Sequence, residues 1–203
     1  GYLLPALSME SEGGILVSVP TKILQNQIMQ EEGRRLKDTF HIDIHSLKGP
    51  QNYLKLDNFY KVLHRPESNR LFTRFKMQIL IWLTETETGD LDEIGQLYRY
   101  QHFIPELVHD GKLSKTSLFS SEDFWQRSQD RAKSSRLLLT NHAYLVTRLE
   151  DDPEFVNNRL VIIDEAQKML IALENLAQES YLLDDLVTQV EKSLETEKDL
   201  IQR

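Results

Sequence analysis

The stretch Arg159-Leu-Val-Ile-Ile-Asp-Glu-Ala-Gln-Lys168 constrains this chain more than any other. Leu160, Val161, Ile162 and Ile163 form an unbroken apolar run, and such a run flanked by charge reads as a strand of a parallel sheet covered on both faces. It stops at two acids, Asp164 and Glu165, at the carboxyl end where open α/β sheets place their ligands. That is the form of a Walker B site. In such a site Asp164 holds Mg²⁺ through water, because magnesium keeps most of its hydration shell, and Glu165 orients or deprotonates the water that attacks the γ-phosphate of ATP. A competing reading is a strand followed by a capped helix, with acids favoured near its start by the helix dipole.

Composition bounds the rest. The 203 residues are 40% hydrophobic, enough for a core of one or two domains, and contain no cysteine, which excludes disulfides, thiolate metal sites and cysteine-ligated iron–sulfur clusters. No apolar run approaches a membrane span and no basic leader opens the chain, so the expected setting is the cytoplasm, with no membrane partner. A net charge of −8 argues against a nucleic-acid partner, but it is unevenly spread. Residues 48–76 hold seven basic groups (Lys48, Lys55, Lys61, Arg65, Arg70, Arg74, Lys76) against two acids, whereas 169–203 hold eight acids against three bases.

In chain order, residues 1–7 read as a helix without a cap, as expected of a segment internal to a longer protein. Gly13-Gly14 turns into a buried strand at 15–19, and a helix follows over 22–38 with Ile23, Leu24 and Ile28 inward. Thr21 and Lys22, beside the amides that open this helix, suit a phosphate, although an ordinary capped helix explains them equally. Alternation over 40–45 predicts a half-buried strand with Phe40, Ile42 and Ile44 inward; His41, Asp43 and His45 then share the other face, either a metal trio or the wet side of an edge strand. Helices are expected near 56–63 and over 69–85, the second burying Leu71, Phe72, Phe75 and Ile79. Tyr53 lies outside these periods and beside Lys48 and Lys55, which makes it the candidate to stack on a base. Asp90 and Glu93 have capping-box spacing, Ser121 is the expected cap of a helix over 122–134, and 136–140 is a further buried strand. Asn141 and His142 open a helix just beyond its carboxyl end, where His142 is either a satisfied structural histidine or, by its place at the sheet end beside Asn141, a functional one, and 167–203 is helical, with leucines at intervals of three and four.

Five motifs occur in a fixed order: Val17-Ser-Val-Pro-Thr-Lys-Ile-Leu-Gln-Asn-Gln27, Lys48-Gly-Pro-Gln-Asn-Tyr53, Thr88-Gly-Asp-Leu-Asp-Glu93, Thr140-Asn-His-Ala-Tyr-Leu145 and Val161-Ile-Ile-Asp-Glu-Ala166. Together they resemble the DinG-type, XPD-like helicases of superfamily 2, and the versions from Gram-positive bacteria in which the helicase module often follows a DnaQ-like 3′-5′ exonuclease domain. The resemblance implies an α/β fold: a partial RecA-like parallel sheet from 1–47 and 136–168, a large helical insertion at 48–135 equivalent to the family's iron–sulfur domain, and the start of a helical arch region at 169–203. It implies ATP and Mg²⁺ as cofactors, Asp164, Glu165 and Gln167 as motif II with Gln167 sensing the γ-phosphate, and ATP-driven 5′-3′ movement on single-stranded or fork DNA. Thr21, Lys22, Lys48, Tyr53, Lys55, Asn141 and His142 become the residues that touch DNA.

The chain departs from that pattern in two places. Lys55 stands where the family has its first cluster cysteine, so no iron–sulfur cluster is expected, and Gln167 stands where the family commonly has histidine. The family's phosphate loop would precede Gly1 and its second motor domain would follow Arg203. The expectation is an internal piece of a helicase, inactive alone and completed by the rest of its parent chain, which includes a possible exonuclease domain. The alternative is a DNA-binding scaffold of a decayed helicase whose parent acts as a 3′-5′ exonuclease.

Overall fold

The computed structural model describes residues 2–9, 13–66, 69–113 and 117–177. Four strands, β1 (Ile15–Val19), β2 (Ile44–Ser46), β3 (Leu137–Asn141) and β4 (Leu160–Ile163), form one sheet in the order β2-β3-β1-β4. Every pairing is parallel: Leu16 lies opposite Leu138 and Val161, and Ile44 opposite Leu137. This is the α/β arrangement expected of a partial RecA-like unit.

The apolar runs at β1 and β3 are buried on both faces because helices cover each side. Side chains alternate across a strand. Ile15, Val17, Val19, Leu137 and Leu139 meet Leu3 and Ala6 of α1 (Leu3–Leu7) and Leu36 of α3 (Arg34–Phe40). On the opposite face Leu16 and Leu138 meet Leu47, Ala132 of α6 (Phe124–Ser134) and Leu145 of α7 (His142–Asp151). The turn into β1 requires glycine: Gly14 has φ +80°, and a Cβ there would lie 2.6 Å from the carbonyl oxygen of Arg136.

Between β2 and β3 a separate core is built from α4 (Leu56–His64) and α5 (Arg70–Trp82), with Phe59, Val62, Phe72, Phe75 and Ile79 enclosed. Phe75 stacks on Tyr100 and Phe72 on Phe103, each pair with centroids 4.2 Å apart. Helix α6 joins the two bodies, since Phe124 at its start belongs to this core and Ala132 near its end to the sheet.

Several local expectations are corrected. The helix after β1 runs through α2 (Lys22–Ile28), a π-helical turn (Met29–Gly33) and α3 as far as Phe40, so Phe40 is 54% exposed and the strand shrinks to three residues. His41 becomes the left-handed cap of that helix, and the three polar residues do not share one strand face; His45 bonds Ser128 Oγ at 2.9 Å. Ile23 is 80% exposed, and the buried position is taken by Gln25. Leu71 is exposed at the start of α5. Asp90 accepts from the Asp92 amide, but Glu93 does not close a capping box: its carboxylate is drawn to Trp82 Nε1, Thr86 Oγ1 and Thr88 Oγ1 instead. The cap of α6 is Asp123, not Ser121, accepting from the Gln126 amide at 2.8 Å. Helix α8 (Met169–Ala177) begins the expected C-terminal helix, whose Leu182, Leu186, Val190 and Leu194 lie outside the described residues. No helix among the described residues is long and apolar enough to cross a membrane.

Candidate functional site at the carboxyl edge of the sheet

The acids leave β4 at the rim of the sheet. The Asp164 amide donates to the Ser18 carbonyl at 2.9 Å, extending the β1–β4 ladder by one bond before the chain turns away. Glu165 adopts φ +47°, a left-handed conformation, and a short 3-10 turn (Ala166–Lys168) follows. Tyr2 donates its hydroxyl to Asp164 Oδ2 at 2.9 Å. Burial, and then that bond to a carboxylate, push the Tyr2 hydroxyl pKa up, so it remains a donor. Glu165 is exposed and lies 2.8 Å from Lys168 Nζ; Gln167, two residues further on, is exposed. The site therefore presents two carboxylates and an amide to solvent at the place where parallel sheets bind ligands.

Behind the acids lies a neutral hydrogen-bond network. His142 opens α7 and is only 1% exposed; its Nδ1 lies 2.7 Å from Ser18 Oγ and its Nε2 3.0 Å from the Asp164 carbonyl oxygen. Burial lowers its pKa, against the opposing pull of Asp164, and so favours the uncharged ring. Asn141 caps α7 by accepting from the Tyr144 amide at 3.0 Å and donates to Gln25 Oε1 at 3.2 Å. Gln25 in turn donates to Ser46 Oγ, the Leu47 carbonyl and the Leu139 carbonyl, closing the ends of β2 and β3.

The residues assigned to DNA divide into two groups. Thr21 and Lys22 remain exposed at the start of α2, where Thr21 caps the helix by accepting from the Leu24 amide at 3.2 Å and Lys22 donates to Asn52 Oδ1 at 2.7 Å. The others are built into the interior. Tyr53 is 2% exposed and its hydroxyl bonds the Lys48 amide and Ser128 Oγ, so no ring face is open to a base and the stacking expectation is corrected. Lys48, 1% exposed, sits 2.6 Å from Asp90 and 2.8 Å from Asp92. Burial pushes the Asp90 carboxyl up; for Asp92 burial acts the same way but is outweighed by the Lys48 bond and charge, which hold it low. Lys55 reaches Asp110 at 2.5 Å, and that bond holds the exposed Asp110 carboxyl down to about 2. Asn141 and His142 face the protein and not the solvent.

Ser18, Gln25 and Tyr2 were not singled out from the sequence. The signal for Ser18 was present, since a hydroxyl inside the run Ile-Leu-Val-Ser-Val must find a buried partner.

No family model matches the chain. Its sequence is 33% identical over 180 residues to a Bacillus subtilis (strain 168) protein named 3′-5′ exonuclease DinG, an alignment covering 82% of this chain and 18% of that protein. It is 28% identical over 176 residues to the protein of the same name from Staphylococcus saprophyticus, covering 83% of this chain and 19% of that protein. The Staphylococcus epidermidis protein of that name is 26% identical over 172 residues. The chain is thus related in sequence to proteins named DinG, and it spans 18–19% of the length of these relatives.

Proposed function

We propose that this chain is the motif II-bearing part of the first motor unit of a DinG-type nucleic-acid enzyme, which in the whole protein couples ATP hydrolysis to 5′-3′ movement on single-stranded or fork DNA in the cytoplasm. The observation that carries this reading is the acid pair Asp164-Glu165, set by β4 at the carboxyl edge of an all-parallel sheet. In this reading 1–47 and 136–168 belong to the motor, 48–135 is an insertion without an iron–sulfur cluster, and 169–203 begins the arch.

The donor set fits magnesium: the hard carboxylate oxygens of a half-buried Asp164 and an exposed Glu165. Asp164 would hold the ion through water, and Glu165 would accept the proton of the attacking water or orient it. Bound there, the ion supplies charge neutralisation at the terminal phosphates. Gln167 donates to the γ-phosphate, and the exposed Thr21 and Lys22 meet the DNA backbone. The chain contains no Gly-x-x-x-x-Gly-Lys-Ser/Thr phosphate loop, so turnover needs the rest of the protein.

A second reading is supported by the name of the relatives, 3′-5′ exonuclease. Here the chain is a scaffold that holds DNA for nuclease chemistry elsewhere in the protein. ATP hydrolysis by the full-length protein, with and without single-stranded DNA, separates the two. The motor reading expects DNA-stimulated turnover that falls by about 100-fold or more in Glu165→Gln; equal, DNA-independent background in both proteins would leave the scaffold.

A further inference from the structure

His142 was assigned to DNA from its place in the sequence, yet it has no surface to offer. Its ring is 1% exposed and both nitrogens are engaged, Nδ1 with Ser18 Oγ at 2.7 Å and Nε2 with the Asp164 carbonyl at 3.0 Å. A carbonyl only accepts, so Nε2 carries the proton, and Nδ1 then accepts from the Ser18 hydroxyl. The neutral Nε2–H tautomer satisfies both bonds; the charged ring would leave Nδ1–H facing a hydroxyl that must turn its lone pair.

The partner is the backbone of the residue that carries the chemistry. The Asp164 peptide is held at both ends, its amide on the Ser18 carbonyl and its carbonyl on His142. Ser18 thus contributes its carbonyl to one end and, through His142, its hydroxyl to the other. The bond from His142 fixes the direction in which the chain leaves β4 just before the left-handed residue Glu165. We infer that His142 is a positioning residue for the metal-binding acid: through the Asp164 carbonyl it aims the Asp164 carboxylate, and it makes no contact with DNA. This rests on the reading of Asp164 as the acid that holds a divalent cation.

The test uses the full-length protein and Mn²⁺ as a spectroscopic stand-in for magnesium, with a non-hydrolysable ATP analogue present. Mn²⁺ binding is read by electron paramagnetic resonance for the wild type, Asp164→Asn, His142→Gln and His142→Asn. Glutamine carries its amide nitrogen to about the position of Nε2, whereas asparagine reaches the position of Nδ1 and so serves Ser18 alone. Residues that orient a metal ligand change affinity by about 10- to 100-fold. His142→Asn is therefore expected to weaken Mn²⁺ binding by about tenfold or more, with His142→Gln within about threefold of the wild type. Affinity for a labelled single-stranded oligonucleotide, measured in the same samples without nucleotide, is expected to stay unchanged. Equal Mn²⁺ affinity in the two variants, or loss of oligonucleotide binding with Mn²⁺ binding intact, overturns the assignment. Mn²⁺ binding that ignores Asp164→Asn overturns it together with the cation reading. Because the readout is binding, absence of ATP turnover would defeat the motor reading while leaving this result standing.

Discussion

At the carboxyl edge of the sheet the buried polar groups are neutral: Ser18, Gln25, Asn141 and His142 share hydrogen bonds among themselves and with strand-end carbonyls. The helical region after β2 buries charges as well: Lys48 between Asp90 and Asp92, and Lys55 on Asp110. The difference teaches how each region tolerates change. A neutral network that loses one member leaves an unsatisfied buried group, at a cost of about 1–3 kcal/mol, whereas a buried ion cluster that loses one member leaves an uncompensated charge, at about 3–5 kcal/mol.

The largest effect is therefore expected at Lys48. Lys48→Met should destabilise the protein by about 3–5 kcal/mol in urea unfolding, because Asp90 and Asp92 are left without their cation. Adding Asp90→Asn and Asp92→Asn should recover much of that loss, since no charge then remains to be compensated. A cost below about 1 kcal/mol for Lys48→Met would erase the contrast between the regions.

An intermediate effect depends on pH. His45 lies where the sheet meets α6, and burial, followed by the Arg131 charge, lowers its pKa from 6.5 to about 4 despite Ser128 and Asp43. The folded value lies below the unfolded one, so the unfolded chain binds the proton more readily. The associated stability is full above pH 6.5 and is lost as pH falls towards 4. His142 titrates in the same sense, so the informative quantity is the difference between wild type and His45→Asn. Thermal unfolding from pH 7.5 to 4.5 should show a smaller decline in the variant; parallel curves would remove His45 from the account.

The smallest effect sharpens the role of burial. Arg65 and Glu106 form an ion pair at 2.8 Å, but both side chains are exposed, and Glu106→Ala should cost less than about 1 kcal/mol, by the same urea measurement. A loss as large as that of Lys48→Met would mean that charge, not its burial, sets the cost.

These contrasts explain what the sequence made legible. Strands β1, β3 and β4 are readable as short apolar runs, and Asp164-Glu165 because it ends such a run, but β4 is not covered on both faces as its apolar run predicts: it is the edge strand beyond β1, half-buried, with Ile163 40% exposed. Strand β2 was misread because the alternation over 40–45 is real but the preceding helix continues to Phe40 and takes half of it. Lys48 and Lys55 read as contacts to single-stranded DNA because their partners lie 42 to 55 residues away at Asp90, Asp92 and Asp110, and a local charge count cannot see them. Tyr53 was misplaced for a related reason: it lies outside any helical period, but its hydroxyl finds Ser128 across the fold.

Glu165 holds a conformation that an L-residue enters at a cost of about 1–2 kcal/mol, and its φ of +47° is maintained from one side by the anchored Asp164 peptide. For Glu165 in its proposed role as general base, the direction of the carboxylate is therefore set by the backbone that leaves β4 at Asp164 as well as by its own side chain.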